Sequence, residues 1–139
     1  MIYKCNYFKI QELVDKDTYE LLGDQAWKLL DNNLLILIDK LREKFGSATI
    51  NNWNIGGNFS KSGFRVYNEK IGAKKSLHKF GLACDLKFSN YTAEKIRQEI
   101  RSNEEFWKQY ISRIENDVNW LHVDLKDFDS SKNIYWFNP

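Results

Sequence analysis

Two short segments of the sequence alternate apolar and polar side chains with a period of two, the pattern of a strand that buries one face. In 121–125 the three apolar residues share one face, and His122 and Asp124 share the other. The segment 82–88 repeats this arrangement, with Asp85 on the face opposite its apolar residues. The pattern therefore predicts a sheet with one face in the core and metal-capable groups on the other.

Helical periodicity is strongest over 31–45, where apolar residues recur every three or four positions. Asp31 is suited to cap the start of this helix and Gly46 to end it. A second helical pattern covers 17–30, but Gly23 inside it weakens the prediction of one continuous helix. The N-terminal third of the chain is therefore predicted to be a helical scaffold.

The remaining elements are predicted from shorter patterns. Strands are expected over 47–53, 82–88, 118–125 and 133–137, and helices over a stretch capped by Thr92 that contains Ile96 and Ile100 and over 106–110. The segment 54–75 is rich in Gly, Asn, Ser and Lys and has no clear periodicity, so most of it is expected to be loop. A loop of this length is uncommon in a compact domain unless it is functional, which makes it a candidate rim for a binding cleft.

The order of these elements indicates an α+β fold in which helices pack on a small, mainly antiparallel sheet. A chain of 139 residues has the length of one domain and can bury a single core. The domain 1–139 is expected to combine a helical N-terminal part at about 10–46 with a core at about 51–126 that carries the candidate site.

Charge and hydropathy limit the classes of partner. Twenty-one basic and 19 acidic residues leave a formal charge of +2, too little to indicate a nucleic-acid partner held by counterion release. Charged and amide residues interrupt the first 14 positions, so neither a signal peptide nor membrane insertion is predicted. We expect a soluble protein, a monomer, in which Cys5 and Cys84 are free thiols.

The sequence contains two histidines, His78 and His122, and each lies beside a predicted strand with an acidic residue nearby. Two histidines and one carboxylate also suit non-haem iron oxygenases, and His122 and Asp124 have the HxD spacing of those enzymes. Their second histidine is expected downstream of HxD, but no histidine follows Asp124. A non-haem iron enzyme is therefore the weaker alternative.

Two sequence motifs enclose the candidate residues. The segment 76–85, SLHKFGLACD, matches the pattern SxHxxGxAxD, and 120–124, WLHVD, matches WxHxD. Before the first motif, SGFR at 62–65 and the run 72–76 also look like a loop of the protein family that carries both motifs. Over about 51–126 the chain thus resembles the M15 zinc metallopeptidases, which include D-alanyl-D-alanine carboxypeptidases and phage endolysins of the L-alanyl-D-glutamate peptidase type, and their hedgehog-fold relatives.

The resemblance implies a zinc ion bound by His78, Asp85 and His122, with water in the open fourth position, in a domain of the hedgehog/DD-peptidase fold. Two imidazoles and one carboxylate form a suitable tetrahedral set, in which the pKa of a bound water falls to about 7. Asp124 is then interpreted as a group that orients a ligand imidazole. Because both histidines and Asp85 fall in these motifs, a metal site is preferred over the alternative of two structural or surface histidines.

Hydrolysis also needs a base that takes a proton from the attacking water. Many family members place an acid three residues before the second metal histidine, where this sequence has Asn119. Some branches of the family have a longer segment before the second motif and carry a Glu in that segment. Resemblance to these branches favours Glu115 as the base, and Asp117 is the alternative. In a regular strand Asp117 would lie on the face opposite His122, unless a bulge or turn intervenes.

Two further residues receive roles from the resemblance. Arg65, in SGFR, corresponds to the family's arginine that holds a substrate carboxylate or stabilises developing negative charge, a task suited to a planar guanidinium. Ser76 is expected to support the loop or to bind the substrate.

These implications predict a zinc peptidase that hydrolyses the stem peptides of peptidoglycan as a carboxypeptidase or endopeptidase. The family link to phages suggests an enzyme made in the bacterial cytoplasm that acts at the cell wall after release by a lysis system or delivery in a virion. The alternative is a zinc-stabilised binding or virion structural module with little or no turnover, which Asn119 favours.

Overall fold

A five-stranded mixed sheet forms the centre of the protein in a computed structural model that describes residues 1–73 and 75–139. The strands are β1 (Ala48–Thr49), β2 (Ala83–Phe88), β3 (Arg113–Glu115), β4 (Leu121–Asp124) and β5 (Tyr135–Phe137). Their spatial order is β1-β2-β4-β3-β5. Neighbouring strands are antiparallel except for the parallel pair β3 and β5. The predicted α+β class with a mainly antiparallel sheet is confirmed.

Four α-helices accompany the sheet in the described part of the chain. They are α1 (Lys16–Leu22), α2 (Asn32–Phe45), α3 (Ala93–Ser102) and α4 (Glu104–Trp107), with 3₁₀ turns at Ile10–Glu12, Gly23–Leu29, Trp53–Ile55 and Leu77–Phe80. The predicted caps are confirmed, because the carboxylate of Asp31 accepts a hydrogen bond from the Asn33 amide and the Thr92 hydroxyl accepts one from Lys95. None of these helices is long and apolar enough to cross a membrane.

The hydrophobic core lies between α2 and the sheet and extends along the chain from Phe8 to Ile134. Helix α2 contributes five fully buried or nearly fully buried aliphatic side chains and ends on Phe45, whose ring stacks on Trp107. Residues 121, 123 and 125 are all buried, as are Cys84 and Leu86. The predicted core faces of the two central strands are therefore confirmed.

Several predicted strand boundaries differ from those of the structure. The strand expected over 47–53 is reduced to Ala48–Thr49, because the chain then leaves the sheet and the Asn51 amide donates to the Glu12 carbonyl. The strand expected over 118–125 begins only at Leu121, because residues 117–120 form a bend that starts with the positive φ of 57° at Asp117. Strand β3 was not predicted at all, since three residues are too few to show alternation.

The segment 17–30 divides at Gly23, where φ is 54°, into α1 and a 3₁₀ segment. After the turn at Trp53–Ile55, the described residues of the predicted loop form no helix or strand before Leu77. Lys74, which belongs to this predicted loop, lies outside the described residues. The loop runs directly into the turn that carries His78, and so it leads to the candidate site.

Candidate metal centre

Three buried side chains from separate elements meet at one face of the sheet. His78 comes from the turn Leu77–Phe80, Asp85 from β2 and His122 from β4. One potential ligand atom from each lies within 4.8 Å of the other two. Asp85 and His122 are direct Cα partners across the antiparallel pair, which explains how residues 37 positions apart come together. This group could hold a metal ion, as the sequence predicted.

Hydrogen bonds fix which nitrogen of each imidazole is available. Nδ1 of His78 lies 2.9 Å from the carbonyl oxygen of Gly63, which can only accept, so Nδ1 donates and Nε2 is left facing Asp85 at 3.4 Å. Nε2 of His122 lies 2.8 Å from the Asp124 carboxylate, which leaves Nδ1 facing Asp85 at 2.9 Å. Each ring thus has one nitrogen anchored in the protein and one directed to the shared centre, the arrangement of metal-binding histidines.

The local charges favour an ionised carboxylate beside the two rings. Burial opposes ionisation of Asp85, but hydrogen bonds from His122 and His78 outweigh it and lower its pKa. Burial likewise opposes protonation of His122, but hydrogen bonds to Asp124 and Asp85 raise its pKa to about 9. The pKa of Asp124 is lowered, because bonds from His122 and Arg113 outweigh its burial. Without a metal, the contacts with Asp85 and Asp124 thus favour the protonated form of His122, and a cation bound at its Nδ1 would displace that proton.

Two close backbone approaches hold the turn that carries His78. Gly81 ends the turn in the left-handed region at φ 70°, and a Cβ there would meet the Leu29 carbonyl oxygen at 2.0 Å. A Cβ at Gly63 would meet the Leu13 carbonyl oxygen at 2.2 Å. Both positions require glycine, because the helical N-terminal part packs directly against the backbone of the site.

Arg65 and Ser76, the two further residues that received roles from the resemblance, lie at the cleft. The guanidinium of Arg65 donates through Nε to the Lys61 carbonyl at 2.7 Å and lies 3.6 Å from the Asp85 carboxylate. The Ser76 hydroxyl accepts a hydrogen bond from the His78 amide at 3.3 Å, and so it caps the turn Leu77–Phe80 that carries His78. This contact is consistent with the supporting role considered for Ser76, and both side chains also line the cleft.

The two candidate bases occupy different surroundings. Glu115 ends β3, is half-buried and lines the same cleft as the three metal-capable residues. Asp117 is exposed in the bend between β3 and β4, and neither it nor Asn119 belongs to the described lining of that cleft. The geometry therefore brings Glu115, and not Asp117, to the site.

The cleft itself has a volume of about 310 Å³, and its wall carries more cationic than acidic side chains. Its cationic side chains are Arg65, Lys75, Arg113 and Lys126. Sequence reasoning missed Arg113, Lys126 and Phe137, which also lines the cleft. The only signal for Arg113 would have been strand β3, because the register that pairs it with Asp124 brings its side chain to the site.

The chain matches no family model, no curated protein and no solved structure.

Proposed function

We propose that this chain is a zinc-dependent peptidase that hydrolyses the stem peptides of peptidoglycan, as the resemblance to the M15 metallopeptidases implies. The observation that carries the proposal is the convergence of His78, Asp85 and His122 with both imidazoles already oriented toward one point. Buried histidines oriented in this way in the wall of an open cleft fit a catalytic metal site, which keeps one position free.

Zinc suits this set because two imidazoles and one carboxylate are its usual ligands in hydrolases, and three protein ligands leave room for water. Zinc bound there would polarise the scissile carbonyl and lower the pKa of its water to about 7. Iron is the competing metal for two histidines and a carboxylate. Metal analysis of the purified protein distinguishes the two.

The chain's own residues can supply the rest of a hydrolytic reaction. Glu115, in the wall of the cleft, would take a proton from the attacking water and deliver it to the leaving amine. Arg65 would hold a substrate carboxylate or the developing negative charge with its planar guanidinium. Asp124 holds the ring of His122 from the side opposite Asp85.

The charge of the cleft supports an anionic peptide as the substrate. Four cationic side chains line it, of which Arg113 is already paired with the buried Asp124, while the acids in its wall are Asp85, which faces the candidate metal position, and Glu115. Stem peptides carry free carboxylates, which such a wall attracts and orients. The same charge would disfavour a cationic peptide of equal size.

A zinc-stabilised binding or virion structural module is the second candidate. The observation that favours it is Asn119, which stands where many family members have an acid and is exposed outside the described lining of the cleft. In this alternative the metal would stabilise the fold, and the basic cleft would bind wall peptides without cleaving them.

Digestion of purified sacculi separates the two candidates. Parent protein, parent with a chelator and Glu115→Gln are incubated with sacculi, and released fragments are identified by mass spectrometry. The peptidase predicts new peptide termini that are absent with the chelator and strongly reduced with Glu115→Gln. Binding to sacculi without new termini would support the binding module instead.

A further inference from the structure

Four residues around the candidate metal site form a closed ring of contacts, and the proposed chemistry gives no role to two of them, Arg113 and Phe137. Arg113 binds Asp124, Asp124 binds His122, the ring of His122 packs on Phe137, and Phe137 lies under the guanidinium of Arg113. The members come from three neighbouring strands, β3, β4 and β5. Only His122 belongs to the metal-capable group.

The polar half of the ring consists of charge-assisted hydrogen bonds. Nε of Arg113 lies 2.9 and 3.1 Å from the two oxygens of Asp124, and the Nη2 nitrogen lies 2.8 Å from Oδ2. This two-point contact fixes the carboxylate, which is fully buried and whose Oδ2 also accepts from Nε2 of His122 at 2.8 Å. Rotation of the carboxylate would therefore disturb His122.

The aromatic half restrains the same imidazole from another side. The rings of His122 and Phe137 meet edge to face, with centroids 5.7 Å apart and planes at 86°. The guanidinium carbon of Arg113 lies 4.4 Å from the centroid of Phe137. The backbone of Phe137 is fixed in turn, because its carbonyl accepts a hydrogen bond from the Asn116 amide at 2.7 Å.

We propose that Arg113 and Phe137 are positioning residues for the metal-binding imidazole, so that β5, near the end of the chain, forms part of the metal centre. Together they restrict both the orientation of the His122 ring and the nitrogen that it presents to the metal. The inference rests on the zinc site of the proposed function, but it does not depend on the substrate. Side chains that hold a metal ligand in this way typically affect metal affinity about 10- to 100-fold when removed.

The chain offers a matched control on the opposite side of β5. Arg101 stacks on Trp136 at 4.0 Å, the same kind of arginine–aromatic pair on the same strand. The variants Arg101→Met and Trp136→Leu therefore remove an arginine–aromatic contact that does not touch His122, together with the hydrogen bonds from Arg101 to Asn116 and from Trp136 to Glu104. They measure what a loss of sheet support alone does to zinc binding.

The test measures the zinc dissociation constant by chelator competition and the melting temperature of each metal-free protein. Because Arg113→Met leaves the buried Asp124 without its cation, Arg113→Lys is included to keep a charge there while removing the two-point contact. We expect Phe137→Leu, Arg113→Met and Arg113→Lys to weaken zinc binding at least about tenfold. The control pair should bind zinc like the parent at a similar loss of melting temperature. The absorption spectrum of the cobalt(II)-substituted protein should change in the first set alone.

Unchanged zinc affinity in Phe137→Leu and Arg113→Lys would overturn the inference. Equal losses in the control pair would also overturn it, because the ring would then only support the sheet. A parent protein that binds no zinc would remove both the inference and the metal site. Tight zinc binding with the expected losses, but no cleavage of sacculi, would leave the positioning role standing and refute the peptidase.

Discussion

Asp85 and His122 are Cα partners across β2 and β4, and Nδ1 of the imidazole lies 2.9 Å from the carboxylate. The adjacent pair in the same register, Cys84 and Val123, is fully buried on the other face. One register therefore fills the core and brings two of the three metal-capable side chains together at the same time. A slip of one residue would exchange the two faces and lose both.

The first prediction concerns metal content. Purified protein should contain about one zinc per chain, and Ala in place of His78, Asp85 or His122 should abolish tight binding, because two remaining ligands do not complete a tetrahedral site. Elemental analysis after dialysis measures this. Asp117→Asn, which removes an exposed carboxylate, is the control and should keep its zinc. Full zinc occupancy in His122→Ala would contradict the assignment.

Much of the site could be predicted from the sequence because its residues lie in local patterns. Alternation in β2 and β4 identified Asp85 and His122 as facing away from the core, and the structure places them so. The long helix α2 was equally clear from its periodicity and its Asp31 cap. Both signals depend only on neighbours in the chain.

The parts that were missed depend on pairing between distant segments. Arg113 lies in a three-residue strand, and only its register opposite Asp124 reveals that its side chain reaches the candidate metal site. Phe137 lies in a predicted strand, but its packing on His122 follows from the parallel pairing of β5 with β3. No local pattern carries such information, because register is decided by the whole sheet.

The second prediction is a decline in the stability of the metal-free protein with rising pH. The folded-state pKa of His122 is raised from 6.5 to about 9, so protonation favours the folded state. This contribution is complete below pH 6.5 and is lost as the pH rises through about 9. Urea unfolding across this window measures it. His122→Gln is the control, and a parent that declines no more than this variant would contradict the prediction.

Zinc should cancel that dependence of stability on pH over the same window, because a metal-bound His122 is neutral in the folded state as it is in the unfolded state. Binding through Nδ1 of His122 displaces a proton, so the apparent zinc affinity should rise about tenfold per pH unit up to the pKa. Calorimetry in buffers of different ionisation enthalpy counts the protons released. Binding without proton release at pH 7 would show that His122 is neutral in the metal-free protein or does not bind the metal.

The third prediction ranks the two candidate bases. Glu115→Gln should keep the fold and the zinc but lower turnover by at least about 100-fold, the scale for loss of a general base. Asp117→Asn should do much less, because Asp117 is exposed outside the described lining of the cleft. Rates on a soluble wall peptide measure both. The opposite ranking in zinc-loaded, folded proteins would assign the base to Asp117.

The fourth prediction tests the backbone approach at Gly81. Gly81→Ala should destabilise the protein by more than Gly56→Ala, because a Cβ at 81 meets the Leu29 carbonyl at 2.0 Å, whereas one at 56 meets nothing within 4 Å. Both glycines have a positive φ, so the control Gly56→Ala has the backbone strain of that conformation, about 1 kcal/mol, but no contact with a neighbouring carbonyl. Urea unfolding gives the difference. Equal losses would mean that the turn shifts away from Leu29 without cost.

The fifth prediction is that Arg65 recognises a carboxylate of the substrate. Arg65→Lys should weaken cleavage although the charge is kept, because an ammonium cannot offer the two parallel donors that a carboxylate accepts. The structure holds this guanidinium at the cleft through the Lys61 carbonyl, 3.6 Å from Asp85. Arg42→Lys, at an arginine stacked on Tyr7, is the matched control and should act like the parent.

Kinetics show at which stage Arg65 acts. If the guanidinium binds the carboxylate equally in the ground and transition states, KM rises and kcat is nearly unchanged, whereas a contact made only in the transition state lowers kcat. Amidation of the substrate's free carboxylate should reproduce the effect in the parent and add little in Arg65→Lys, because both changes remove the same contact. Equal cleavage of free and amidated substrates by the parent, with an Arg65→Lys variant that behaves like it, would leave Arg65 only the local role of bonding to the Lys61 carbonyl.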